Sequence, residues 1–142
     1  MARIFKPEEL PHLQSTRDKR KRIDLISEEL QGTEAILGDM IVYPPDNVGS
    51  PHYHRGAAEI KYLLRGSATF NIGGEDHHLR AGHIIVLKPG EVHHCRTGAG
   101  EDLAFLEYPF GYTRFISFAF GGYINSTLIK LNSLLVNLVS TC

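Results

Sequence analysis

The stretch His52-Tyr53-His54-Arg55-Gly56-Ala57-Ala58-Glu59 places two histidines one residue apart and a carboxylate five positions beyond the second. On a β-strand, residues i and i+2 face the same way, so His52 and His54 can direct two imidazoles at one point. That point is read as a shared metal ion. After the turn-like Arg55-Gly56, an apolar run from Ile60 to Leu64 starts a second strand, and Glu59 at its beginning can face inward as an oxygen ligand. Two nitrogens and one carboxylate form the facial set typical of open, reactive metal sites. His93 is the candidate for a fourth ligand.

Strands must hold these residues in place. From Arg22 the chain alternates, with Ile23 and Leu25 on one face and Asp24 between them, and Ile36 to Tyr43 repeats the theme. Pro44-Pro45-Asp46-Asn47-Val48-Gly49-Ser50-Pro51 is a turn-rich loop that delivers the chain to His52. Glu59 to Leu64 and Ala68 to Ile72 read as strands joined at Arg65-Gly66-Ser67, with glycine where a positive φ is cheap. His77 to Leu79, Ile84 to Lys88, His93 to Thr97 and Leu103 to Tyr108 supply further short strands. Such spacing, with glycine at the turns, indicates an all-β antiparallel sandwich or barrel.

The flanks differ from this pattern. Pro7 and Pro11 argue for an irregular arm over residues 1–22, ahead of a barrel over 23–120. The basic run Arg17-Asp18-Lys19-Arg20-Lys21-Arg22 could touch phosphate or an acidic partner, but its shortness and the neutral chain favour a solvated approach to the first strand. Beyond Phe110 the only charged residues are Arg114 and Lys130. Arg114 to Phe120 reads as a strand. Leu128, Leu131, Leu135, Leu138 and Val139 recur at helical spacing, which predicts a short amphipathic helix over roughly 126–140, within an apolar tail at 121–142.

The chain has 142 residues, 42% of them hydrophobic and 22% charged, which fits one folded domain and excludes a disordered or collagen-like chain. A formal charge of −1 gives no global pull toward nucleic acid or an anionic membrane. Cys95 and Cys142 lack the spacing of a zinc ribbon or redox motif. The N-terminal residues lack the order of a secretory signal, so a cytoplasmic location is expected. Asn125-Ser126-Thr127 matches a glycosylation sequon, which carries little weight in that compartment.

Taken together, the two halves of the site read His52-x-His54-x4-Glu59-x6-Gly66 and Gly82-x5-Lys88-x-Gly90-x2-His93, with 15 residues between Gly66 and Gly82. This resembles the cupin superfamily, in particular its small single-domain members, over about residues 40–108. Asp46 stands where the leading glycine of the first motif is usual, Lys88 with Pro89 beside it replaces a proline, and Thr97 replaces the final asparagine. The resemblance implies a double-stranded β-helix, or jelly-roll barrel, with one metal ion inside, held by His52, His54, Glu59 and His93.

Neighbouring residues sharpen the expectation. Lys61 shares the inward face of Glu59, where a lysine is costly without a task or a partner. A nearby cation and desolvation would depress its pKa and suit it to act as general base or acid, or as an anchor for a substrate carboxylate. The competing reading pairs it with an inward acid such as Glu107. Cys95 shares the face of His93, either as a soft ligand or as a small buried hydrophobe. His77 and His78 read as surface residues, and His83 and His94 as outside the ligand set.

A metal-dependent enzyme is therefore expected, acting on an oxygen-rich or carboxylated small molecule through one divalent transition metal, Fe, Mn, Ni or Zn. Dioxygenase, isomerase, lyase and cyclase chemistry all fit the ligands, with proton transfer left to Lys61 or Glu107. Metal affinity should fall in acid as the imidazoles protonate. The alternative is a non-catalytic module that binds a sugar or other small molecule, with the metal structural or absent. Apolar strand faces point to a homodimer.

Overall fold

In the computed structural model, residues 3–26 and 37–110 are described throughout, and residues 117–119 by their backbone alone. A 3-10 turn at Pro7–Glu9 precedes the strands β1 (His12–Gln14), β2 (Lys21–Ile26), β3 (Gly38–Tyr43), β4 (His52–His54) and β5 (Ala58–Arg65). There follow β6 (Ser67–Ile72), β7 (Glu75–Arg80), β8 (Ile84–Leu87), β9 (His93–Arg96), β10 (Leu103–Phe110) and β11 (Ser117–Ala119). One sheet has the order β1-β2-β3-β10-β5-β8 and the other β11-β4-β9-β6-β7. Every pairing among these strands is antiparallel. The expected two-sheet jelly roll is thus present. The expected strand from Arg114 to Phe120 is represented by β11, while the helix over roughly 126–140 and the sequon at Asn125 lie outside the described residues.

Alternation along each strand places the core. On β8, Ile85 and Leu87 are buried while Ile84 and Val86 are exposed, the period of two expected of a half-buried strand. Ile85 and Leu87 pack with Ile41, Tyr43, Leu63, Phe70, Leu103 and Phe105 between the sheets. Fully burying one such side chain is worth about 1.5–3 kcal/mol, so this cluster fixes the strand register on which the polar site depends.

The N-terminal stretch is more ordered than its prolines suggest. β1 pairs with β2 through His12 and Ile23, Leu13 and Arg22, and Gln14 and Lys21. The connection is built from local side-chain bonds: the Ser15 hydroxyl accepts from the backbone N–H groups of Arg17 and Asp18, each at 3.3 Å, and Asp18 Oδ1 accepts from the Arg20 N–H at 3.3 Å. Serine and aspartate turns of this kind compete well with helix or extended chain. Their consequence is that Arg20 turns inward, with its side chain only 12% exposed, whereas Arg17, Lys19 and Lys21 remain exposed. The basic run is solvated only in part.

Two turns are set by backbone conformation. Gly66 has φ +76, and a Cβ there would come within 2.3 Å of the Asp102 carbonyl oxygen, so β5 and β6 connect as they do only through glycine. Asp46, at the place where glycine is usual in the cupin motif, itself adopts φ 51. Aspartate tolerates the left-handed region better than most side chains.

Candidate metal centre

β4 and β9 are neighbours in one sheet, and His52 stands directly opposite His93. His54, two residues on, projects to the same side. One ligand nitrogen from each of His52, His54 and His93 lies within 4.8 Å of the others. Two imidazoles are oriented from behind: His52 Nδ1 is 2.9 Å from the Ser50 carbonyl oxygen, and His93 Nδ1 is 2.9 Å from that of Glu91. A carbonyl only accepts, so each Nδ1 carries the proton and each Nε2 presents a lone pair to the interior. Burial, aided by His93 and Lys61, holds the His52 pKa well below the ordinary histidine value and keeps its ring neutral.

The other sheet supplies the carboxylate. Glu59 on β5 is 1% exposed, with Oε2 3.2 Å from His93 Nε2 and Oε1 3.6 Å from His54 Nε2. Burial pushes its carboxyl up, but the Lys61 ammonium outweighs that and holds it well below the usual range. His93 Nε2 and Glu59 Oε1 are buried and make no hydrogen bond. Buried polar atoms without partners are costly, and lone pairs converging from three imidazoles and a carboxylate are the donor set a divalent transition metal takes. The residues therefore fit such an ion, with the histidines as the closest group and Glu59 beside two of them.

Lys61 is 3% exposed, with Nζ 3.0 Å from Glu59 Oε2 and 2.5 Å from Glu107 Oε2. Burial lowers its pKa, yet Glu107 and Glu59 together raise it above the ordinary value. This reverses the direction expected from desolvation and a nearby cation. Lys61 is a protonated bridge between two carboxylates. Glu107 faces Lys61 across β10 and β5, and on its other side it faces Asp39 of β3, which in turn faces Asp24 of β2. A row of charges thus crosses the sheet, ended by Arg22, whose Nε is 2.9 Å from Asp24 Oδ1 and 3.1 Å from Asp39 Oδ1.

Asp39 is the uneasy member of the row. Burial pushes its pKa to about 7, with Arg22 opposing and Glu107 and Asp24 adding to the rise. Its folded pKa lies above the value of about 3.9 of an unfolded chain, so its stabilising contribution is complete below that lower value and is lost as pH climbs to about 7. An Asp39→Asn variant mimics the protonated form at every pH. Its stability relative to wild type in urea unfolding should rise by about 3–4 kcal/mol between pH 4 and 7 and level off above. A difference that does not vary with pH would refute this reading.

Loop residues complete the support. Thr97 Oγ1 donates to the Pro44 carbonyl oxygen at 2.7 Å and accepts from the Asn47 N–H at 2.9 Å, pinning the loop that leads into His52. Cys95 lies in the core, 3% exposed, and burial pushes its thiol to about 12, so it is neutral and behaves as a small hydrophobe. His77, His78 and His83 are exposed and His94 half-buried. None joins the histidine group.

Between the sheets a narrow cleft, partly open to solvent, is lined by His52, His93, Lys61, Glu107, Arg20 and aromatic rings including Phe70 and Phe105. Arg20 is the one residue of the basic run that reaches this cleft. Its guanidinium donates to the Tyr43 hydroxyl at 2.6 Å and lies 5.6 Å from the centre of the Tyr43 ring.

Residues 39–108 match the Cupin_2 family, described as a cupin domain. No curated protein sequence matches the chain. Similar solved structures include a predicted oxalate decarboxylase from Thermotoga maritima, with TM-score 0.67 and 24% identity over 78% of this chain and 100% of that one. The polyketide cyclase RemF from Streptomyces resistomycificus gives TM-score 0.70 and 21% identity over 87% and 89%. KdgF from a Halomonas species gives 0.63 and 17% over 77% and 94%. At these identities the likeness is one of fold.

Proposed function

Because the chain belongs to the cupin superfamily through its domain over residues 39–108, we propose that it is a metal-dependent enzyme acting on a small oxygen-rich or carboxylated molecule. His52, His54, His93 and Glu59 would hold one divalent transition metal, Fe, Mn, Ni or Zn. The observation that carries this reading is the convergence of three imidazole nitrogens within 4.8 Å beside a buried carboxylate whose Oε1 makes no hydrogen bond. Such an ion, when bound, polarises a substrate oxygen as a Lewis acid.

The remaining work falls to the chain's own groups. Ser50 and Glu91 orient the imidazoles through their carbonyls. Lys61 holds Glu59 in place, keeps a proton at Nζ, and with Glu107 lines the cavity where a substrate would lie. Glu107, bonded to Lys61, is the group suited to exchange a proton with substrate while Lys61 compensates its charge. Dioxygenation, isomerisation, elimination and cyclisation all remain consistent with this ligand set.

A second reading, a non-catalytic module that binds a small molecule or sugar, is favoured by one observation: Lys61 is locked between two carboxylates rather than poised as a base. Elemental analysis of wild-type protein reconstituted with each metal, followed by a turnover screen over small hydroxy and keto acids, separates the two. About one equivalent of metal with turnover supports the enzyme. Metal without turnover supports the module. Wild-type protein that takes up none of the four metals would sink the metal-dependent reading.

The chain would work as a cytoplasmic homodimer. On the outer face of β5 and β8, Tyr62 pairs with Ile84 and Ile60 with Val86, and Ile84 and Val86 are 64% and 62% exposed. Contiguous exposed apolar surface of this kind marks an interface, and β8 ends its sheet, so two copies can meet about a two-fold axis. The free buried thiol of Cys95 accords with a reducing compartment. No helix among the described residues is long and apolar enough to cross a membrane. Ile84→Lys with Val86→Glu should shift the protein to monomer in sedimentation velocity, and an unchanged dimer would place the interface elsewhere.

A further inference from the structure

The row of charges that crosses the larger sheet holds more acid than its cations balance. Asp24, Asp39, Glu107 and Lys61 are direct cross-strand partners on β2, β3, β10 and β5, so they share one face, and strand parity puts Glu59 on it as well. Lys61 is committed to Glu59 and Glu107. Arg22 meets the other two carboxylates through the same Nε, 2.9 Å from Asp24 and 3.1 Å from Asp39. With both acids ionised, Arg22 and Lys61 stand against Asp24, Asp39, Glu59 and Glu107, a net charge of −2. Asp24 and Asp39 are 9% and 6% exposed. Two buried carboxylates that face each other over one guanidinium do not both ionise cheaply.

A proton and a metal ion answer the same deficit. One proton on Asp39, shared with Asp24 through a side-chain hydrogen bond, leaves the set at −1. A divalent ion on the histidines and Glu59 brings it to zero with every carboxylate ionised, and a proton kept on Asp39 would then leave an excess of +1. Neighbouring strands lie about 4.8 Å apart, so Asp39, two strands from β5, stands roughly 10 Å from the strand of Glu59. Inside a protein, a dication at that range weakens proton binding by about tenfold or more. Among the described residues the charged groups acting on Asp39 are Arg22 and Asp24 from β2 and Glu107 from β10. None of these is in the ligand set, and Glu107 joins Asp39 to it through Lys61 and Glu59. A proton that leaves does so at the Arg22 end of the row, where that side chain is 39% exposed.

We infer that Asp39 is a proton site coupled to the metal centre: in the metal-free protein it holds one proton against Asp24, and binding of a divalent ion at the histidines releases that proton to solvent. The inference rests on the reading of His52, His54, His93 and Glu59 as a metal centre. Because linkage is reciprocal, metal affinity depends on pH through Asp39 as well as through the imidazoles.

Calorimetric titration with zinc tests this, run at pH 6 in buffers of different ionisation enthalpy so that the protons released are counted, with His93→Ala as the blank for zinc bound elsewhere. Wild type should release most of one proton more per zinc than Asp39→Asn, whose amide has no proton to give. The advantage of wild type over that variant in zinc affinity should grow by about tenfold from pH 6 to pH 8. Asp24→Asn removes the opposing charge, lets Asp39 ionise beside Arg22, and should abolish the extra release as well. It carries the test if thermal unfolding shows that Asp39→Asn does not fold. Asp102→Asn, which removes a carboxylate 46% exposed by side chain, should release protons as wild type does. Equal release from wild type, Asp39→Asn and Asp24→Asn overturns the inference and leaves the metal centre standing. Wild-type protein that binds no zinc above the blank overturns the metal centre, and the coupling with it.

Discussion

His93→Ala should lose stoichiometric transition metal, with affinity down by well over a hundredfold, while the protein stays folded. Even removal of a group that only orients a ligand costs about 10- to 100-fold in metal affinity, and His93 is a ligand itself. It stands opposite His52, its Nδ1 fixed on the Glu91 carbonyl. Stability should suffer less than burial suggests. In the metal-free protein the buried Nε2 of His93 makes no hydrogen bond, and removing an unsatisfied polar atom offsets part of the cavity left behind. Elemental analysis gives the metal content and thermal unfolding the fold. His83→Ala, at an exposed site outside the histidine group, is the control and should retain wild-type metal. A His93→Ala protein that still carries a full equivalent would mean that the metal, if bound, sits elsewhere.

The convergence of the three histidines was legible because its key relations are local. His52 and His54 share a face by strand parity alone, and the same parity puts Glu59, Lys61 and Leu63 inward on β5, as their burial shows. The glycines of the motif were readable because Gly66 must take a positive φ. What failed to show was whatever depends on partners distant in sequence. For Lys61 the sequence left two readings open, a pKa lowered by a nearby cation or a pairing with an inward acid such as Glu107, and could not choose between them. In the folded chain Glu107 lies across from it by the register of β10 and β5, which no local pattern dictates, and two carboxylates outweigh burial. Arg20 was invisible for a related reason. Its run of charges looks like any solvated stretch, and only the folding of β1 onto β2 separates the one residue that turns in from its exposed neighbours. Thr97 was noted only as a departure from the cupin motif, although its hydroxyl ties down the loop before His52.

Lys61→Met should cost the metal-free protein about 3–5 kcal/mol, the range expected when one partner of a buried ion pair is removed and the other remains. Two carboxylates would be left facing each other, Glu59 at 1% exposure and Glu107 at 18% by side chain. The methionine fills most of the lysine's volume, so the loss reports charge rather than packing. Metal should change the size of the effect. An ion held by the histidines and Glu59 supplies the positive charge that Lys61 gave to Glu59, so the deficit should shrink in the reconstituted variant, and the gain in stability from metal should be larger than in wild type. The Lys61→Met, Glu107→Leu double variant removes both a cation and an anion and should recover part of the loss, since an apolar pair often replaces a buried ion pair at little cost. Urea unfolding of wild type, Lys61→Met, Glu107→Leu and the double variant, with and without metal, measures each step as a cycle. A Lys61→Met protein as stable as wild type without metal would show that the buried bridge does not hold this end of the barrel. A deficit equal with and without metal would show that Lys61 serves Glu107 alone, leaving Glu59 to be governed by the imidazoles.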